Sequence, residues 1–74
     1  MTKLLILSGL GIIKILNKFG YREVRKRGSH IWLECPMKAP VTVPEYRSVD
    51  RSLLRKILRD ADISVDDFNK IRKQ

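Results

Sequence analysis

Apolar residues recur at helical spacing near the start of the chain. Ile12, Ile15, Leu16 and Phe19 fall at i, i+3, i+4 and i+7, which puts four side chains on one face of a helix. Lys14, Asn17 and Lys18 take the opposite side, Ser8 stands before the segment, and Gly20 follows it. A glycine there supplies the left-handed residue that ends a helix without a Cβ clash. Gly9 and Gly11 weaken the first turn, since each costs about 1 kcal/mol relative to alanine in a helix interior, so the pattern leaves the helix start open.

The period then changes from helical to alternating. Residues 21–27 are strand-compatible but heavily charged, with Val24 as the single aliphatic anchor, and Gly28 marks a turn. From 30 to 35 the alternation is strict. Ile31, Leu33 and Cys35 share one face, and His30, Trp32 and Glu34 share the other, as a half-buried antiparallel strand requires. His30 and Trp32 are therefore expected on the side of the sheet away from the core. Residues 36–40, bounded by prolines, form a loop, and Val41, Thr42 and Val43 form a short third strand closed by Pro44.

A polar connector leads to a second helix that either Asp50 or Ser52 is placed to cap. In it Leu54, Ile57, Leu58 and Ala61 again keep the i, i+3, i+4, i+7 spacing, while Arg51, Arg55 and Arg59 line up four residues apart on another face. Asp62 stands where a terminal glycine is expected, and aspartate tolerates the left-handed region. Ser64 and Asp67 match a capping box that opens a short last helix through Phe68 and Ile71. The pattern predicts an α+β fold in the order α-β-β-β-α plus the short C-terminal helix, with two helices packed on one face of a three-stranded antiparallel sheet. That is the layout of double-stranded-RNA-binding domains, and it leaves the other sheet face open. The 74 residues make one domain, 1–74, with 1–7 as either an extra N-terminal strand or an arm.

Charge narrows the partners. Sixteen Lys and Arg against eight Asp and Glu give a formal net charge of +8, which at this size points to polyanions such as nucleic acid. Residues 3–16 faintly resemble a signal peptide, yet Ser8, Gly9, Gly11 and Lys14 interrupt the apolar run and no small-residue cleavage site follows. The run is also short of the roughly 20 apolar residues that a membrane span needs, so a soluble, cytoplasmic protein is expected. Cys35 is the only cysteine and His30 the only histidine, which leaves no internal disulfide and no metal-ligand spacing.

The motifs together resemble the HicA (YcfA-like) toxins of prokaryotic toxin–antitoxin modules. The resemblance runs through Ser8-Gly9, the stretch Phe19-Gly20-Tyr21, the basic hairpin Val24-Arg25-Lys26-Arg27-Gly28-Ser29-His30, the strand Val41-Thr42-Val43-Pro44, and the helix from Leu54 to Ala61 followed by Ile63-Ser64. It implies a metal-independent mRNA endoribonuclease that needs no cofactor and is held inactive by a HicB-like antitoxin covering its active face. It also places the family's catalytic histidine on His30, flanked by Gly28 and Ser29. Many members carry a histidine after Val-Pro, where this chain has Glu45-Tyr46, and many carry Gly-Thr before the second helix, where this chain has Arg51-Ser52.

The residues support that chemistry in their own right. RNA brings its own nucleophile, the 2′-hydroxyl, so a catalyst needs only to move its proton, stabilise charge on the phosphate and help the 5′-oxygen leave. Imidazole titrates near pH 6.5, which suits His30 to act as general base, general acid, or both in succession. Arg25, Lys26 and Arg27 would supply the positive field, Ser29 a turn or a phosphate contact, and Trp32 either a surface on which an unpaired base stacks or a cross-strand packing or partner-interface residue. Arg51 and Arg55 are candidates for RNA backbone contact, against the plainer role of a solvated helix face. Tyr21, Tyr46, a lysine or water remain open as the second proton donor. The competing reading is a non-catalytic RNA-binding module of the same fold.

Overall fold

The computed structural model describes residues 6–72. Helix α1 (Gly9–Lys18) starts where Ser8 caps it, the Ser8 Oγ accepting the Gly11 N–H at 3.0 Å. Its inward face is Ile12, Ile13, Ile15 and Leu16, all buried. Phe19 is the C-cap and only half-buried, because the helix ends there, and Gly20 takes the expected left-handed turn at φ 103°. The next residue, Tyr21, is fully buried, and its hydroxyl donates to the Ala39 carbonyl at 2.8 Å.

Three strands follow: β1 (Arg22–Arg27), β2 (His30–Glu34) and β3 (Val41–Pro44), paired antiparallel in the order β1-β2-β3. Along β2 the alternation is as the sequence predicts, with Ile31 and Leu33 buried and His30, Trp32 and Glu34 exposed. Strand β1 departs from expectation. Glu23 pairs with Leu33 and Arg25 with Trp32, so Val24 is the extra residue of a β-bulge. Val24 is 54% exposed and anchors nothing; Tyr21, just before the strand, is the residue that reaches the core. Every residue of this edge strand is exposed, while α1 and the second helix pack against β3.

Asp50 rather than Ser52 caps α2 (Arg51–Asp60), its Oδ1 accepting the Leu53 N–H at 2.8 Å. Leu54, Ile57, Leu58 and Ala61 are buried, and Asp62 turns left-handed at φ 57°. Helix α3 (Val65–Arg72) opens on Ser64, whose Oγ accepts the Asp67 N–H at 3.0 Å, and Phe68 is fully buried against α1 and its neighbours. The core thus lies between one sheet face and the helices. Lys38 ties the β2–β3 loop to this layer by donating to the Ala61 carbonyl at 3.1 Å, where the end of a helix concentrates partial negative charge. Of the apolar run before α1, Leu7 forms a single antiparallel bridge with Val49; residues 1–5 lie outside the described residues. Among the described residues no helix is long and apolar enough to cross a membrane.

Candidate RNA-cleavage site on the open sheet face

The two-residue connection between β1 and β2 decides what His30 faces. Gly28 adopts φ 59°, a conformation that costs an L-residue and suits the first central position of a tight hairpin turn. With Gly28 and Ser29 turning the chain, Arg27 pairs directly with His30. One step along the sheet, Arg25 pairs with Trp32, and on the far side of β2 Trp32 pairs with Thr42 and His30 with Pro44. Directly opposed residues of an antiparallel ladder project to the same face. Arg25, Arg27, His30, Trp32 and Thr42 accordingly line one open pocket of about 220 Å³, on the side of the sheet without helices.

The phase of β1 depends on the bulge. In an unbroken ladder running on from Glu23 and Leu33, Val24 and Lys26 would flank His30 and Trp32. The extra residue shifts the pattern by one, so the arginines take those places. Lys26 instead pairs with the position of buried Ile31 and forms an ion pair with Glu45 at 2.9 Å. Among the described residues no carboxylate lies within ion-pair distance of Arg25 or Arg27, so the pocket keeps its positive charge.

The other candidate residues lie around this pocket or away from it. Gly28 and Ser29 form the turn at the pocket's end and do not line it; the Ser29 carbonyl accepts the Glu45 N–H at 2.6 Å. Arg51 and Arg55 lie outside the pocket, on the exposed side of α2, the helix that packs against the opposite sheet face. The Trp32 indole donates to Glu34 Oε2 at 3.0 Å, and the residue is 41% exposed. The His30 ring is exposed and makes no hydrogen bond among the described residues. Of the proton donors left open by the sequence, Tyr21 is buried and committed to Ala39, whereas the Tyr46 ring stands 6.3 Å from that of His30 at an interplanar angle of 74°. Thr42 was legible as the outward residue between Val41 and Val43, but nothing in the sequence tied it to Trp32. Burial pushes the Tyr21 phenol above its ordinary value of 10.0, with Cys35, Asp62 and Asp60 adding smaller upward effects.

Among the described residues no cluster of His, Cys, Asp and Glu is arranged to hold a metal ion. The arrangement is an exposed imidazole beside an indole and two guanidinium groups, with no carboxylate paired to them among the described residues. Such a surface can bind a phosphodiester and move a proton at it.

Comparison with known proteins agrees with this architecture. A chain from a solved structure described as a toxin–antitoxin complex from Streptococcus pneumoniae superposes with a TM-score of 0.69, at 24% identity, over 77% of this chain and 98% of that one. No curated protein sequence matches the chain. The family model for the HicA toxin of bacterial toxin–antitoxin systems matches residues 11–63, from α1 through the end of α2 and across the whole pocket. The chain therefore belongs to the HicA toxin family.

Proposed function

We propose that this toxin is a metal-independent endoribonuclease that cleaves mRNA through His30. The observation that carries the reading is the pocket itself, in which the only histidine of the chain shares one open face with Arg25, Arg27, Trp32 and Thr42. In the proposed reaction the neutral imidazole takes the proton of the attacking 2′-hydroxyl, and its protonated form returns one to the departing 5′-oxygen. Arg27, directly across the ladder, and Arg25 stabilise the extra charge on the phosphate. The indole of Trp32 stacks the adjacent unpaired base, an interaction worth about 1–3 kcal/mol.

The partner that silences it is a HicB-like antitoxin. A face carrying Arg25 and Arg27 suits an acidic partner surface, and charge complementarity of this kind speeds association. The solved relative in a toxin–antitoxin complex supports this pairing.

Purified protein incubated with single-stranded RNA in EDTA tests the reading. Cleavage that disappears in His30→Ala is the expected outcome. Intact RNA at high protein concentration, or cutting unchanged in His30→Ala, would leave only RNA binding without catalysis.

A further inference from the structure

We propose that Tyr46 is the positioning residue for His30, holding the imidazole over the pocket through its ring and not through its hydroxyl. The proposal rests on the ribonuclease reading above. His30 needs such a support, because its ring is exposed and has no hydrogen-bond partner among the described residues. The Tyr46 ring supplies one, 6.3 Å away and near perpendicular at 74°, an edge-to-face arrangement that aromatic pairs favour over a stacked sandwich.

The place of Tyr46 is set by the backbone. Pro44 is the ladder partner of His30, and the pairing continues one step further where Glu45 N–H donates to the Ser29 carbonyl at 2.6 Å. The Glu45 side chain reaches Lys26 on β1 at 2.9 Å. From the other direction the Gly9 N–H, at the start of α1, donates to the Tyr46 carbonyl at 2.8 Å. These contacts join the residues flanking each ring to the same short stretch of chain. Tyr46 itself is 47% exposed and is not part of the hydrophobic core cluster. Its hydroxyl has no hydrogen-bond partner among the described residues, which leaves the ring as the part that makes contact.

Tyr46→Ala and Tyr46→Phe, measured on an RNA oligonucleotide and by NMR of the His30 ring protons, test this. Tyr46→Ala is expected to lower kcat on the order of 10-fold or more, with KM changed less, since a small misplacement of a reacting group is enough to cost that much. Tyr46→Phe should restore kcat to within about twofold, because it keeps the ring. The His30 ring-proton shifts should move in Tyr46→Ala and stay in place in Tyr46→Phe, as the ring current of residue 46 is removed only in the first. Native kcat in Tyr46→Ala would overturn the proposal, and so would a Tyr46→Phe defect as deep as that of Tyr46→Ala, which would assign the hydroxyl a chemical part. If the unaltered protein cuts no RNA, the ribonuclease reading fails on its own. The NMR shifts then decide the positioning claim, and unchanged shifts in Tyr46→Ala overturn it.

Discussion

Arg27 and His30 are direct partners across the β1–β2 ladder, separated in the chain only by Gly28 and Ser29. The pairing depends on the positive φ of Gly28, beyond which there is open space, so an added Cβ would meet backbone strain and no clash. Gly28→Ala should therefore cost about 1–2 kcal/mol in urea unfolding, the usual penalty of a left-handed L-residue. Replacement by D-alanine in a synthetic chain should restore both stability and RNA cleavage. A Gly28→Ala protein as stable as the original would show that the turn can be made another way.

The bulge at Val24 yields a contrast among three adjacent basic residues. Arg25→Ala and Arg27→Ala should each weaken RNA binding and make it less sensitive to salt, the slope falling by about 0.7 for each phosphate of a single strand that is no longer neutralised. Lys26→Ala should leave that slope nearly unchanged, since Lys26 points away from the pocket to Glu45. Equal slopes for all three variants, measured by binding titrations over a salt series, would contradict the observed phase of the strand.

Gly9 lets α1 lie against the end of β3. A Cβ there would overlap the Pro44 carbonyl oxygen and come within 2.9 Å of its carbon and 3.0 Å of Glu45 Cα. Alanine favours helices over glycine by about 1 kcal/mol, but at the first helical position that gain is small, and the obstacle is backbone with no side chain to rotate aside. Gly9→Ala should thus be destabilising by about 1–3 kcal/mol, the range for overpacking, and should also lower RNA cleavage by shifting Tyr46. Denaturant unfolding and a cleavage assay on the same preparation check both effects.

Tyr21 makes stability sensitive to alkali. Its folded pKa lies above 10.0 because burial disfavours the phenolate, so the folded state holds this proton more tightly than the unfolded chain does. The contribution is fully present below pH 10 and is lost as pH rises through the folded value. Tyr21→Phe should remove the hydrogen bond to Ala39, at a cost of about 0.5–1.5 kcal/mol near neutrality, and should flatten the fall in stability above pH 10. Thermal melts of both proteins across that pH range provide the check.

Much of the molecule was readable from local pattern because the chemistry involved is local. Helical spacing marked the buried faces of α1 and α2, and Ser8, Asp50 and Ser64 stood where orphan N–H groups needed an acceptor. Gly20, Gly28 and Asp62 stood where the backbone turns left-handed. Strict alternation in β2 put His30 and Trp32 on one exposed face before any partner strand was known. The resemblance to the HicA toxins, carried by the same residues, agrees with the family match over residues 11–63.

The company that His30 keeps was decided by tertiary structure. A run such as Arg25-Lys26-Arg27 has no apolar alternation to say which residues face which way, and an edge strand outside the core has no burial to enforce it. The phase came from pairing with β2, where Val24 drops out of register and turns the two arginines toward the histidine. The approach of Tyr46 likewise follows from Gly9 meeting Pro44 and Glu45, residues more than thirty positions away in the chain. Side-chain periodicity assigns a face within one element, whereas contacts between elements depend on register and on close backbone approach, which only the assembled fold determines.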